Sequence, residues 1–100
     1  MTPVIFLPEA EKEMFEAAKY YESQAADLGI DFLSEAERAV GSIAELPLTW
    51  PVIEGEMRRR LVGRFPFGIL YRIEPDEIVV VAVAHLRRKP GYWKERIKRK

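Results

Sequence analysis

The run Ile78 to Ala84, IVVVAVA, constrains this chain more than any other stretch. A strand that is apolar at odd and even positions alike cannot keep one face in water, so the run predicts a central strand buried on both faces. A cluster of His85, Arg87, Arg88, Tyr92 and Trp93 follows it directly. Those side chains hang from the stiffest element the chain can build, and the exit of this strand is where chemistry or binding is expected.

Around that strand, 100 residues with 48% apolar content suit one domain, residues 1–100, with a single core and no second lobe. The absence of cysteine and the single histidine exclude a disulfide framework, a thiolate metal site and an ordinary zinc set, and no cofactor is expected. Glu9, Glu11, Lys12 and Glu13 near the start do not suit a signal peptide. The longest uncharged stretch, Ile78 to Leu86, is far shorter than the roughly 20 residues of a membrane span. A cytoplasmic, soluble protein with no membrane partner is the expectation.

The formal net charge of zero conceals an asymmetry. Residues 1–56 hold 12 Asp or Glu against 3 Lys or Arg, whereas residues 57–100 hold 4 acids against 13 bases. Such a split points to an anionic partner for the basic half, unless the two halves neutralise one another in the fold.

Pro3 to Leu7 reads as a first strand, with Pro8 opening a helix. Ala10, Met14, Ala17, Ala18, Tyr21, Ala25 and Leu28 keep helical spacing, and Gly29 is expected to stop that helix. Asp31 is expected to cap a second helix, with Phe32, Leu33, Ala36, Val40, Ile43 and Leu46 on its apolar stripe and Pro47 at its end. The two would form an antiparallel hairpin. Pro47 to Glu56 reads as a loop whose Trp50 plugs a core edge. Met57 to Val62, Ile69 to Ile73 and the apolar run then make a three-stranded antiparallel meander, with Glu74 to Glu77 as a turn. Gly91 to Lys100 reads as a short C-terminal helix or tail. The fold class expected is α+β, with the helix hairpin on one face of the sheet.

In this order of elements, and above all in FPFGILYRI at Phe65 to Ile73 and VVVAVAHLRRKPGYW at Val79 to Trp93, the chain resembles the RelE/ParE superfamily of type II toxin-antitoxin toxins. The resemblance covers nearly the whole chain. It implies a toxin neutralised by a cognate antitoxin in a hetero-oligomer. ParE-like members inhibit DNA gyrase and need no catalytic set, whereas RelE-like members are metal-independent endoribonucleases that cut messenger RNA on the ribosome. The long first helix and the HLRRKPGYW exit look closer to the ParE branch, with a ParD-like antitoxin, and gyrase is the expected target.

The ribonuclease alternative needs a base for the 2′-OH, an acid for the leaving oxygen and cations for the phosphorane. His85, Tyr92, Arg60 and Arg72 could fill these places. Strand alternation puts Arg58 and Arg60 on one face against Met57, Arg59 and Leu61, and sets Leu70 and Arg72 against Ile69, Tyr71 and Ile73. With the helices over Ile69, Tyr71 and Ile73, Arg72 would point into an open groove, where Arg58, Arg60, Arg72, Arg87, Arg88 and Tyr92 are candidates for target or antitoxin contact. Tyr20 and Tyr21 cannot both face inward, and the outer one would suit the antitoxin.

Plainer readings stand beside these. His85 at a strand end suits a hydrogen-bonded structural imidazole. Arg58 to Arg60 could merely guard a sheet edge, Trp93 could be a lid over the core, and KERIKRK a solvated tail.

Overall fold

The apolar run does form an inner strand. In the computed structural model, which describes residues 2–98, the elements are β1 (Val4–Phe6), α1 (Pro8–Gln24), α2 (Leu28–Glu45), β2 (Val52–Glu54), β3 (Met57–Leu61), β4 (Phe67–Ile73), β5 (Ile78–His85) and α3 (Lys94–Lys98). Arg99 and Lys100, the end of the expected basic tail, lie outside the described residues. One sheet runs in the order β1-β5-β4-β3-β2. β1 lies parallel to β5 and the remaining pairs are antiparallel.

Both faces of β5 are covered. On one side Phe32 and Ile43 of the helix hairpin pack on Ile69, Tyr71, Ile78, Val80 and Val83. On the other, Trp93 packs with Met57, Leu70, Val79, Val81, Ala82 and Ala84. Side chains of this size contribute roughly 1.5–3 kcal/mol each when fully buried, so a strand apolar on both faces anchors both layers at once.

The sequence expectations need two corrections here. The antiparallel part of the sheet has four strands rather than three, because β2 forms inside the segment expected to be loop. All of β2 is exposed, so no alternation marks it, and Pro51 just ahead of it is tolerated because the strand is an edge. Gly29 does not stop α1, and Asp31 is not the cap of α2. The helix joint falls earlier, at Asp27, whose φ of 69° turns the chain. The Glu22 carboxylate accepts from Asp27 N–H at 3.1 Å and Gly29 N–H at 3.0 Å, satisfying the start of α2 from α1. Gly29 is needed for packing instead: a Cβ there would lie 2.5 Å from the Ala18 carbonyl oxygen. Together with Ala17 and Ala18, it lets the helices approach closely.

The pairing of β4 with β5 shifts register between Leu70 and Tyr71, leaving Val81 as an extra residue on β5. Val81 and Ala82 therefore both face the Trp93 side, and the hydrogen-bonding parity of β5 reverses beyond that point. Val81 C=O and Val83 N–H now point to the side where β1 has already turned away into α1. Two side chains take the place of the missing strand. Val83 N–H donates to Glu13 Oε1 at 3.0 Å, and Arg96 Nη1 donates to Val81 C=O at 3.0 Å.

Candidate functional site

Strand register sorts the basic residues. Arg58 pairs with Tyr71, Arg59 with Leu70 and Arg60 with Ile69. Arg58 and Arg60 consequently lie on the helix side of the sheet, not in the groove with Arg72 where the sequence reading placed them. Arg58 Nη1 donates to Trp50 C=O at 2.7 Å and Leu48 C=O at 3.3 Å. Arg60 donates to Ser42 Oγ at 3.0 Å and lies 4.6 Å above the Trp50 ring. The two arginines fasten the loop between α2 and β2, and Trp50 plugs the core edge beneath them as expected.

Arg72 does project to the opposite face with Leu70, although its own side chain is largely buried there. Its Nε sits 2.6 Å from Glu74 Oε2, off the line of the N–H bond, so the contact is a charge pair without a well-formed hydrogen bond. It borders a groove of about 730 Å³ between the β2–β3 turn and α3, floored by Met57, Trp93 and Ile97. Trp93 is 4% exposed and acts as the expected lid.

At the exit of β5, His85 stacks edge-on against Phe67 with centroids 5.2 Å apart, and its Nδ1 accepts the Arg87 N–H at 3.0 Å. This matches the plainer structural reading and leaves Nε2 to carry the proton of the neutral ring. Arg87 is exposed, whereas the Arg88 guanidinium lies 3.9 Å over the Tyr92 ring. Tyr92 is held from below. Its hydroxyl donates to Glu13 Oε2 at 2.7 Å, and Arg96 reaches the same carboxylate with two nitrogens at 2.8 Å each. Burial, reinforced by the bond to Glu13, pushes the Tyr92 phenol far above its ordinary range, so it is a poor proton acceptor near neutral pH. The same carboxylate raises the Arg96 guanidinium further.

His85, Arg88 and Tyr92 thus meet around one trough of about 230 Å³, which Arg59 enters from β3. Arg72 lies beyond Trp93 in the neighbouring groove, and Arg60 lies through the sheet. The four ribonuclease candidates do not converge. Of the tyrosine pair on α1, Tyr20 is 60% exposed, while Tyr21 packs against Phe32 and Phe65. Glu13, Arg96, Arg59, Gly68 and Lys89 escaped the sequence reading as site residues. Glu13 is one of several glutamates at the start of α1, and nothing local distinguishes it.

The profile of the family described as the ParE toxin of type II toxin-antitoxin system, parDE, matches residues 4–90. The chain belongs to the ParE toxin family. No curated protein sequence matches it significantly. Among solved structures, a chain of the chromosomal ParDE toxin-antitoxin system from P. aeruginosa superposes with a TM-score of 0.75 at 13% identity, over 85% of this chain and 96% of that one. At that identity the likeness speaks for the fold, which is ParE-like: an N-terminal strand, two helices, antiparallel strands and a short C-terminal helix. The ParE match ends at residue 90, so Tyr92, Trp93 and Arg96 lie beyond the matched segment. Among the described residues of this ParE-family chain, no helix is long and apolar enough to cross a membrane.

Proposed function

We propose that this ParE-family toxin acts in the cytoplasm as a single-domain inhibitor of DNA gyrase, working by binding rather than by catalysis. A cognate ParD-like antitoxin neutralises it in a hetero-oligomer. The observation that carries this reading is the dispersal of the candidate nuclease groups over two faces of the sheet. His85 Nδ1 is already occupied by a backbone N–H, and the Tyr92 hydroxyl is committed to Glu13. Binding makes no such demand for convergence. Within the ParE reading, an antitoxin segment lying along the Trp93 side meets Arg72 and Arg88, and one packing on the hairpin meets Tyr20. Arg58 and Arg60 serve the fold instead.

The test adds purified toxin to gyrase and supercoiled plasmid. Cleaved DNA should accumulate, while messages in a parallel translation reaction should stay intact. An excess of toxin that leaves both supercoiling and cleavage unchanged would sink the proposal. Arrest of translation with cut messages, abolished by His85→Ala, would return the ribonuclease reading with ribosome and mRNA as its partners.

A further inference from the structure

We infer that the trough at the exit of β5 is a phosphodiester clamp, in which Arg59, Arg88, Lys89 and His85 grip the backbone of the DNA that gyrase holds. The assignment to gyrase-held DNA rests on the reading above; the clamp itself rests on the geometry. Arg59 lies across Gly68, where an added Cβ would come within 2.9 Å of its Cγ and 2.8 Å of its Cδ. Gly68 pairs with Ala84 on β5, so two small neighbours carve the channel that lets the guanidinium of β3 reach the end of β5.

Hydrogen-bonded turns present the other cations. Leu86 N–H donates to Pro66 C=O, Arg88 N–H to His85 C=O and Tyr92 N–H to Lys89 C=O. Stacking on Tyr92 orients the plane of Arg88. That stacking leaves Arg88 less side-chain freedom to lose on binding, and a guanidinium fork matches phosphate oxygens.

Charge points the same way. Among the described residues, Arg64, Arg72, Lys94, Arg96 and Lys98 each have a carboxylate partner, but Arg59, Arg87, Arg88 and Lys89 have none. The acid on the trough wall, Glu54, lies 2.5 Å from Lys94 Nζ. Arginine, lysine and an Nε2-protonated imidazole offer donors and no acceptor. A dense group of uncompensated cations gains most from a polyanion of fixed charge spacing, which releases condensed counterions as it binds. An acidic protein segment would instead draw most of its affinity from apolar anchors, for which the neighbouring groove floored by Met57, Trp93 and Ile97 is the better seat. The chain as a whole is neutral, so attraction is confined to its basic half, while the acidic first helix repels DNA and sets the orientation.

The test is anisotropy of a fluorescein-labelled duplex of about 20 base pairs, titrated with toxin over a range of KCl concentrations. With roughly 0.9 counterions released per phosphate neutralised, log K against log salt should fall with a slope of about −3 to −4. Arg59→Gln/Arg88→Gln/Lys89→Gln should cut that slope by roughly 2.7. Lys12→Gln/Lys19→Gln/Arg38→Gln, which removes the same charge from the helices, should change nothing. Gly68→Ala should weaken binding alone by displacing Arg59. The clamp is overturned if the duplex does not bind at low salt or if the first triple variant binds like the parent. Displacement of the duplex by poly-glutamate at equal charge would give the trough to an acidic protein segment, and tighter binding of single-stranded RNA would give it to RNA; either overturns the DNA assignment. A parent that binds DNA but leaves gyrase untouched refutes the gyrase reading and keeps the clamp. Inhibition of gyrase by a toxin whose triple variant binds DNA unchanged refutes only the clamp.

Discussion

Glu13→Ala tests whether side chains stand in for a strand beside β5. In the folded protein Glu13 and Arg96 are 15% and 14% exposed, and their 2.8 Å contact is largely shielded from solvent. Removing the carboxylate strands the Arg96 guanidinium, the Tyr92 hydroxyl and the Val83 N–H together. Losing one partner of a buried ion pair costs about 3–5 kcal/mol, against a total stability of roughly 5–15 kcal/mol for a domain of this kind. The assay is urea denaturation followed by tryptophan fluorescence, with hydrogen exchange at the Val83 amide. The decisive variant is the double replacement Glu13→Leu/Arg96→Met. An ordinary buried pair exchanged for apolar residues of similar size is often neutral or stabilising. Here Val83 N–H and Val81 C=O would still be orphaned, each at about 1–3 kcal/mol, so the double variant should remain at least about 2 kcal/mol less stable than the parent. Parental stability in the double variant, with unchanged exchange at Val83, would refute the reasoning.

Three further outcomes are expected. Gly29→Ala should cost about 1–3 kcal/mol in the same denaturation assay, because its Cβ must push the α1 backbone at Ala18 away; an unchanged midpoint would mean the helices slide freely. Trp93→Ala should cost about 3–5 kcal/mol and expose the chain after Lys94 and Arg96 to trypsin, since the lid that joins α3 to the sheet is gone; parental resistance to trypsin would count against that role. Burial raises both Tyr71 and Tyr92, so the folded state holds these protons more tightly than the unfolded chain does. The contribution of these tyrosines to stability should therefore be constant below about pH 10 and fall above it, by up to about 1.4 kcal/mol per pH unit for each tyrosine, a decline that Tyr92→Phe should make shallower.

Much of the architecture was legible because it is periodic. The 3.6-residue spacing along residues 10–28 and 32–46 announced the helix hairpin, and the doubly apolar run at Ile78 announced the inner strand. Alternation also sorted Arg58 and Arg60 from Arg59 correctly. It could not say which of those faces the helices would cover, because that depends on how β3 registers against β4. Pairing Arg59 with Leu70 placed it beside the exit of β5 and sent Arg58 and Arg60 to the far side. β2 was illegible for the opposite reason: an exposed edge strand buries nothing and leaves no pattern.

The sequence by itself determined which segments are helix and inner strand, the separation of charge between the halves, and the polar cluster at the end of β5. Local periodicity and composition carry that information. The tertiary structure alone decided that Val81 is an extra residue, that Glu13, 70 residues from Val83 along the chain, joins Arg96 in replacing a strand, and that Arg59 reaches the trough across Gly68. Each of these follows from backbone groups that must find partners wherever the packed sheet leaves them, and such partners are set by proximity in space rather than by neighbours in sequence.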